Sequence, residues 1–394
     1  MPTSTGKIYL GSTLLSGGAS AGYQRPADWI AMPTITATEQ KVAALFLVGD
    51  HDSNFVAFRC SGAYTVDWGD GTTENIASNT TAEHNYVFTD LSASTEFGPT
   101  GSKSRQAMIV ITPQAGQNLT AISFNYRHSS LTSTYTTPIL EILLSAPNCT
   151  SLAISNTTGN LRLLEQCTIL SCNITSMFGM FFSCSALQSI PLFDTSSVTN
   201  WTSAFAQCDS LKEVPLFDTS SATTMQNCFR DCISLSSIPV FDTSSVSNFN
   251  GIFWGCRSII QAPAIDTSAG TDLGSMFYQC YSLKRIPTYN TSAATNMSSM
   301  FFYCYSLQTI PALDCSASTN MGNFARDCFG LKRCEATGIK RTTWFNAILG
   351  PDELNEIYTN LATVTGQTIT VTGNYGTASD NPSIATAKGW TVTG

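Results

Sequence analysis

Fourteen cysteines are the first residues in this 394-residue sequence whose type and spacing suggest chemistry. Seven of them recur every 24 residues, namely Cys184, Cys208, Cys232, Cys256, Cys280, Cys304 and Cys328. A zinc site needs ligands that converge from close spacings such as C-x-x-C, and one cysteine per repeat does not converge. We therefore predict a structural ladder of small, buried, apolar thiols, with no metal and no cofactor. Disulfides stay open for the least regular cysteines, which are Cys228 with Cys232, Cys315, and Cys328 with Cys334.

Aspartates keep the same 24-residue step. They are Asp194, Asp218, Asp242, Asp266 and Asp314, and Asn290 takes one place in the series. Regularly placed carboxylates could bind calcium. However, Asp followed by Thr-Ser is typical of a turn, because the aspartate side chain accepts hydrogen bonds from the backbone just after it. We therefore predict turns, with calcium binding as the alternative.

A third set, Asp67, Asp70 and His84, has residue types that could form a catalytic group. A simpler interpretation is that the aspartates shape a hairpin turn at Asp70-Gly71 and that His84 belongs to a strand over 84–88. Glycoside hydrolysis needs two converging carboxylates, whereas the other acidic residues are turn aspartates or scattered singles. We predict no catalytic residues and no enzymatic activity.

Two more series of residues recur at the 24-residue step on either side of the repeated cysteines, and we call each series a column. Both columns become aromatic and basic toward the C-terminal repeats. The first column is Phe182, Ala206, Arg230, Trp254, Tyr278, Phe302 and Arg326. The second column is Ser185, Asp209, Ile233, Arg257, Tyr281, Tyr305 and Phe329, with Tyr303 nearby. Exposed aromatic rings beside arginine offer flat apolar faces and hydrogen-bond donors, which suit sugar rings.

The predicted binding residues are therefore Arg230, Trp254, Arg257, Tyr278, Tyr281, Phe302, Tyr303 and Tyr305. They would meet a host surface polysaccharide or a partner protein. The alternative is that the rings stack in register and only stabilise neighbouring repeats, or bury a contact between protomers.

The elements that carry these columns follow from the repeat itself. Leucine and proline keep the same step, as in Leu187 with Leu211 and Pro191 with Pro215. A fixed period between 20 and 29 residues is typical of a leucine-rich-repeat solenoid. Within one unit, Val198, Trp201, Phe205 and Cys208 fall at helical spacing. Each unit is therefore predicted to be a short helix, a turn and a short strand, and stacking of the units supplies the core.

The segments outside the repeats differ in composition. Strands are predicted at the hairpin of 64–72 and over 107–112. Residues 1–35 are rich in Gly, Ser and Thr, so we expect them to dock onto something else. The leucines of 119–173 are more loosely spaced, which suggests irregular first coils. After the repeats, a helix beginning at Pro351, a strand over 368–372 and a helix over 381–389 are predicted to close the solenoid.

Composition excludes several classes of function. Charged residues make up only 12% of the chain and its formal net charge is −8, so no basic face is available for nucleic acid. The longest apolar run, 42–48, is too short to span a bilayer. The first ten residues lack a signal-peptide pattern. We expect a protein that binds no nucleic acid and does not insert into a membrane.

The pattern Cys-x-x-Leu-x-x-Ile-Pro-x-Phe-Asp-Thr-Ser-x-Val-x-Asn, followed by an aromatic residue, runs over 184–201 and again over 232–249. It resembles the BspA-like leucine-rich repeats of bacterial surface and bacteriophage structural proteins. Val66-Asp-Trp-Gly-Asp-Gly71 with His84 and Tyr86 resembles the PKD-like β-sandwich. The predicted fold is thus a PKD-like all-β sandwich followed by a right-handed α/β leucine-rich-repeat solenoid.

The corresponding domains are an N-terminal anchoring segment at 1–37, the PKD-like sandwich at 38–118, irregular first coils at 119–173, repeats at 174–339 and a cap at 340–394. This arrangement is similar to virion proteins of tailed phages, especially those of cyanobacteria. The resemblance implies an adhesion role, as a tail fibre, a tail-associated adhesin or a capsid-decorating fibre.

The resemblance to phage virion proteins also implies attachment to other virion proteins through the N-terminal segment, contact with a host surface glycan or protein, and a homo-oligomeric state. The predicted location is the virion, assembled in the host cytoplasm. The alternative is a bacterial cell-surface adhesin.

Overall fold

The computed structural model describes residues 24–51, 54–96, 104–131, 137–155 and 161–394, together with the backbone of Tyr9–Leu10 and Thr13–Leu14. The chain divides into two compact units. Unit 1 is Met1–Val198 with Gln207–Phe217, and unit 2 is Thr199–Ala206 with Asp218–Gly394. Most of the predicted anchoring segment lies outside the described residues.

Unit 1 consists of strands, which are β1 Tyr9–Leu10, β2 Thr13–Leu14, β3 Lys41–Gly49, β4 Phe55–Ser61, β5 Tyr64–Asp67, β6 Thr73–Ile76, β7 Thr81–Asn85, β8 Ser104–Pro113, β9 Ala121–Ser123, β10 Ile139–Ser145, β11 Ser151–Ala153 and β12 Gln166–Ser171. Beyond the β1–β2 pair, they form a six-stranded sheet in the order β12-β10-β3-β8-β5-β6 and a four-stranded sheet in the order β11-β9-β4-β7. The part of this unit that the structure describes contains no α-helix and no long 3-10 helix.

The two sheets share a buried aromatic core. The Phe58 ring of β4 lies 5.5 Å from the Trp68 ring and 5.7 Å from the Phe124 ring, measured between centroids. The Phe46 ring of β3 stacks on Tyr86 at 4.9 Å. All five rings are at most 1% exposed. Packing between the two sheets is what a β-sandwich requires, while the narrower PKD-like assignment stays a prediction.

The predicted hairpin is confirmed, because β5 pairs antiparallel with β6 across the Asp70-Gly71 turn. The predicted strand over 107–112 is confirmed within β8. The prediction for 84–88 is wrong at its end, since β7 is Thr81–Asn85 and Phe88–Asp90 forms a 3-10 turn. Between 119 and 173, strands β9 to β12 continue the two sheets, and their pairs β9–β11 and β10–β12 are parallel, as in stacked coils.

Residues 24–37 pack onto the chain's own six-stranded sheet. Trp29 is buried against Leu45 of β3 and Leu140 of β10. Arg25 Nε donates to Glu141 Oε2 over 2.6 Å, and its other nitrogens donate to the carbonyls of Trp29 and Ile30. The described part of the predicted docking segment therefore has a partner within the same unit.

The repeats of unit 2 form coils joined by parallel backbone bonding. Isolated parallel bridges connect one position of each coil to the next, in the series Asn200, Thr224, Asn248, Asp272, Asn296 and Asn320. In one coil, every second N–H group, from Phe249 to Gly255, donates to a carbonyl of the following coil over 2.8–3.1 Å. The same alternation recurs from Leu273 to Gln279 and from Met297 to Tyr303. These bonds confirm a repeat solenoid.

The prediction of a short helix in each 24-residue repeat is wrong, and the repeats form a β-solenoid rather than an α/β solenoid. Val198, Trp201, Phe205 and Cys208 lie in no helix. The reason is two left-handed residues per coil, which interrupt right-handed helical geometry. With φ between 53° and 73°, they are Ser203, Asn227, Gly251, Ser275, Ser299 and Asn323, and, four residues later, Gln207, Asp231, Gly255, Gln279, Tyr303 and Asp327. Consecutive tight turns replace the helix, as when Ile252 N–H donates to Phe249 O and Trp254 N–H to Gly251 O.

The interior of the unit 2 coils is filled by identical residue types in register. Phe205, Phe229, Phe253, Phe277 and Phe301 stack with centroids 5.6–6.0 Å apart. The hydroxyls of buried threonines donate hydrogen bonds to carbonyls of the next coil, as when Thr243 Oγ1 donates to Asp266 O over 2.7 Å. Each coil thus buries its apolar face only against its neighbours, as expected for a repeat stack.

The end of unit 2 contains its regular elements, which are β13 Thr309–Ile310, β14 Arg333–Cys334, β15 Thr343–Trp344, α1 Pro351–Asn360, β16 Gln367–Thr370, α2 Ser383–Thr386 and β17 Trp390–Thr393. Strands β15, β16 and β17 form a parallel sheet. The predicted helix at Pro351 and the strand near 368–372 are confirmed, and the last predicted helix is confirmed as the shorter α2. No helix among the described residues has the length and apolar character needed to cross a membrane.

Candidate functional site

The repeated cysteines form an internal column of hydrogen-bonded thiols. In unit 2, Cys256 Sγ donates to Phe229 O and Cys280 Sγ to Phe253 O, both over 3.0 Å. The same bond is made at 2.9–3.1 Å by Cys208 within unit 1 and by Cys232, Cys304 and Cys328 within unit 2. All fourteen cysteines lie among the described residues, and all are buried thiols outside disulfides, including Cys228, Cys315 and Cys334. No group of three or more potential metal ligands occurs in the described ranges.

Burial opposes the ionisation of these thiols. It raises the pKa of the Cys184 and Cys334 thiols to about 12 and that of Cys149 to about 11. The raised pKa suppresses thiolate formation at neutral pH. Because a thiol reacts through its thiolate, we expect these cysteines to react slowly. The cysteine column therefore lies in the interior as buried, hydrogen-bonded thiols, as the predicted ladder requires.

We expect the folded protein at about pH 8 to react with fewer than about one equivalent of Ellman's reagent per chain. Unfolding in guanidinium should release all fourteen thiols. An Ala312→Cys variant, which places a thiol at an exposed position, should react at once and serves as the positive control. Rapid reaction of several native thiols, or a titre below fourteen after unfolding, would contradict the buried ladder.

The aspartate column makes the predicted turns. Asp266 Oδ1 accepts the Ser268 N–H over 2.8 Å, and Asp242 Oδ1 accepts both the N–H and the hydroxyl of Ser244. These bonds to Ser268 lower the pKa of Asp266, which keeps it ionised at neutral pH. Asn290 makes the same two bonds to Ser292 through its amide oxygen. An amide can therefore replace the carboxylate here, which supports a turn role over calcium binding.

Asp70 and His84 come together at the hairpin, and Asp67 bonds to the backbone of the same turn. Asp67 Oδ1 accepts the Gly69 N–H over 3.0 Å, and Asp70 Oδ1 accepts the N–H and hydroxyl of Thr72. His84 lies in β7, as predicted, and its Nε2 is 2.7 Å from Asp70 Oδ2. In a catalytic triad the hydroxyl nucleophile contacts the histidine that acts as its base. Here the hydroxyl of Thr72 contacts Asp70 and not His84. This order of contacts does not form a catalytic triad.

The first column of predicted binding residues is continuous in unit 2. Arg230 lies over the Trp254 ring at 4.4 Å, and Trp254, Tyr278 and Phe302 follow with centroids 4.7 and 5.2 Å apart. Arg326 lies over the Phe302 ring at 5.3 Å and also over Trp344 at 4.8 Å. We call Arg230, Trp254, Tyr278, Phe302 and Arg326 the first aromatic column. Ala206, which precedes them at the same step, is buried.

The second column stacks more regularly. Arg257 lies over the Tyr281 ring at 5.3 Å, and Tyr281, Tyr305 and Phe329 stack nearly parallel at 5.0 and 5.5 Å. We call these four residues the second aromatic column. Tyr303 joins the two columns, since its ring lies 5.8 Å from Tyr305 and 4.0 Å from Phe302. Together with Tyr303, the two columns form the aromatic surface. Phe182, Ser185 and Asp209 belong to unit 1 and lie outside it, while Ile233 is an exposed residue of unit 2.

Stacking leaves the edges of these rings available rather than their faces. Inner rings such as Tyr305 have a neighbour on each face, yet Tyr305 remains 39% exposed and Phe329 49% exposed. Burial, followed by the neighbouring phenols, raises the pKa of Tyr278 and Tyr305 above its ordinary value, which is already well above neutral pH. The surface therefore offers ring edges, phenol O–H donors and guanidinium groups. The stacking itself agrees with the alternative that these rings stabilise neighbouring coils, and binding by them stays a prediction.

The aromatic surface lies on a protein of a recognisable class, a β-solenoid of 24-residue repeats. Similarity to known proteins agrees with this class over the repeats. The family described as "Mycoplasma protein of unknown function, DUF285" matches residues 175–282 and 236–333, which is less than half of the chain. No curated protein matches.

One similar solved structure is a leucine-rich repeat protein from Bacteroides ovatus ATCC 8483. It is 16% identical, and the alignment covers 66% of this chain and 91% of that chain with a TM-score of 0.22. A TM-score this low does not establish a shared fold, so the solenoid assignment rests on the chain's own bridges and hydrogen bonds.

Proposed function

We propose that this chain is a non-enzymatic surface protein that attaches to a glycan or protein of a host surface through its aromatic surface. The observation that carries the proposal is the continuity of that surface across successive coils of unit 2. Ring edges, phenol hydroxyls and arginines recur there about 5 Å apart, at the spacing of stacked strands. A linear chain of sugars could contact several coils at once and gain affinity through repeated weak contacts.

The specific form that we propose is a virion component of a tailed phage, either a tail fibre or tail-associated adhesin, or a capsid-decorating fibre. The support is the resemblance of the chain's segment order to such proteins, in which an N-terminal β module precedes BspA-like repeats. Attachment to other virion proteins through the N-terminal segment and a homo-oligomeric state belong to the same proposal. A bacterial cell-surface adhesin is the second candidate, and the match to a family described from Mycoplasma agrees with a bacterial origin.

Trp254→Ala and Tyr281→Ala are each expected to weaken binding to host cells or to a responsive array glycan by about fivefold to tenfold. Aromatic contacts of this kind contribute roughly 1 kcal/mol. Tyr375→Ala removes a more exposed ring from the cap, since Tyr375 is 71% exposed whereas Trp254 and Tyr281 are partly buried, and it should bind as the wild type does. Unchanged binding by both aromatic-surface variants would remove the proposal.

The two candidates differ in where the protein is found. Immunogold labelling should place a virion component on purified phage particles at the tail tip, neck or capsid, and an adhesin on the bacterial envelope. Label on the envelope of uninfected cells would overturn the virion form and leave the adhesin form standing.

A further inference from the structure

Charge is unevenly distributed along the chain. The whole chain has a net charge of −8, with 27 acidic residues against 19 basic ones. Between residues 251 and 350, eight Lys and Arg stand against five Asp and Glu. The coils that carry the aromatic surface are thus locally cationic in an otherwise anionic protein.

Five of these cations are exposed and have no carboxylate within 4 Å among the described residues, namely Arg257, Lys284, Arg285, Lys332 and Arg341. We call the first four the basic edge, and Arg341 follows them later in the chain. Other arginines of the same coils are neutralised, as in Arg230 with Asp231 at 3.2 Å and Arg333 with Glu356 at 3.1 Å. Exposed cations without counter-charges repel one another unless a ligand supplies the anions.

Arg257 belongs both to the basic edge and to the second aromatic column. Arg257 lies over Tyr281, and Lys284 follows Tyr281 across a tight turn closed by the Leu283 N–H to Cys280 O bond of 3.1 Å. Lys284 and Lys332 occupy one column two coils apart, because the Gln308 N–H donates to Lys284 O and the Lys332 N–H to Gln308 O. Two coils correspond to about 10 Å.

We propose that the basic edge binds an acidic polysaccharide whose sugars carry carboxylate groups, a ligand class that rests on the proposed function. The cations would pair with the carboxylates, while the phenol hydroxyls and ring edges of Tyr281 and Tyr305 would contact the sugar rings. Guanidinium and ammonium groups both bind carboxylates through charge-assisted hydrogen bonds.

The spacing of the cations favours this ligand over nucleic acid. Double-stranded DNA carries one charge per about 1.7 Å of its axis, so a protein that binds it needs densely placed cations and no strong overall negative charge. Lys284 and Lys332, about 10 Å apart at the spacing of stacked strands, match a polymer with one carboxylate on every second sugar. The net charge of −8 further opposes a dense polyanion.

The test is the retardation of the full-length protein in native gels that contain sodium alginate, a polyuronate, or dextran, a neutral polysaccharide. We expect alginate but not dextran to retard the wild type, and we expect the effect to weaken as salt rises from about 0.05 to 0.5 M, because salt screens exposed charges. Arg257→Gln with Lys284→Gln should bind alginate about tenfold more weakly. Arg341→Gln removes an exposed charge elsewhere in unit 2 and should bind as the wild type does.

The outcomes separate this inference from the proposed function. Equal retardation by dextran, or an unchanged double variant, would overturn the acidic ligand and leave glycan attachment standing. Retardation by neither polysaccharide, with no signal on a glycan array, would overturn both. Tighter binding of the same residues to single-stranded DNA or to anionic phosphatidylglycerol vesicles would also overturn the inference.

Discussion

Phe253→Ala is expected to lower the free energy of unfolding by about 3–5 kcal/mol, the usual loss for a buried phenylalanine. Phe253 is 1% exposed and lies between Phe229 and Phe277 in the phenylalanine stack, at 6.0 and 5.6 Å. Its carbonyl accepts the Cys280 thiol, and its N–H donates to Met276 O. Because these bonds fix the spacing of the coils, the structure cannot collapse to fill the cavity. Guanidinium unfolding followed by circular dichroism measures the loss.

Phe329→Ala is the matched control. Phe329 also stacks on a ring of the neighbouring coil, but it is 49% exposed. Its removal should cost less than about 1 kcal/mol, because little apolar area returns to water. Equal effects of the two variants would mean that the stack of Phe253 is not the interior of the coils.

Arg25→Met is expected to destabilise the protein by about 3 kcal/mol at neutral pH, the lower part of the range for breaking a buried ion pair. Glu141 has a side chain only 7% exposed, and its partner Arg25 is 29% exposed. Removing the guanidinium leaves a buried carboxylate without its counter-charge and leaves two carbonyls without their donor. Thermal unfolding at fixed pH measures the difference from the wild type.

The pH dependence of this loss has a definite sign. Burial raises the pKa of Glu141 above its ordinary value of 4.5, and Arg25 opposes that rise. A carboxyl group with a raised pKa stabilises the folded state fully below its ordinary pKa, and this contribution is lost as the pH rises through the raised value. In Arg25→Met the pKa rises further, so the loss should shrink as the pH falls from about 7 toward 5.

A second replacement at Glu141 supplies the control. Arg25→Met combined with Glu141→Leu should recover most of the lost stability, because an apolar pair often replaces a buried ion pair without penalty. A loss that does not change with pH and is not recovered in the double variant would show that Arg25 acts through packing alone.

The period of the solenoid could be predicted from the sequence because stacking places the same residue type at the same point of every coil. The aspartate turns were equally predictable, since Asp266 and its equivalents bond only to residues two positions away. Local chemistry fixes such features. The hairpin at Asp70-Gly71 belongs to the same group.

The helix could not be excluded from the sequence. Apolar residues at helical spacing also fit a coil of consecutive tight turns, which repeats its inward positions at similar intervals. The left-handed residues that decide between the two are Gly251 and Gly255 in one coil but Ser299 and Tyr303 in another. Serine and tyrosine give no signal of a positive φ, because the bonds between coils impose it.

The candidate site was only partly predictable. The columns of rings follow from the 24-residue step, and the structure places them in contact. Trp344 was missed because it lies in the cap, outside the period, although it contacts Arg326. The basic edge was missed because its members are spread over three positions of the repeat, and Lys284 and Lys332 share a position that Gln308 occupies in the coil between them.

The alternation of N–H donors from one coil to the next has an evolutionary consequence. Each unit 2 coil between Phe249 and Tyr303 presents nearly the same donors and acceptors to its neighbours, so an inserted or deleted copy of 24 residues would meet a compatible interface on both sides. Unequal recombination between repeats would therefore change the number of coils, and with it the length of the aromatic surface, in single steps. The extent of this surface can evolve through gene length as well as through point substitution.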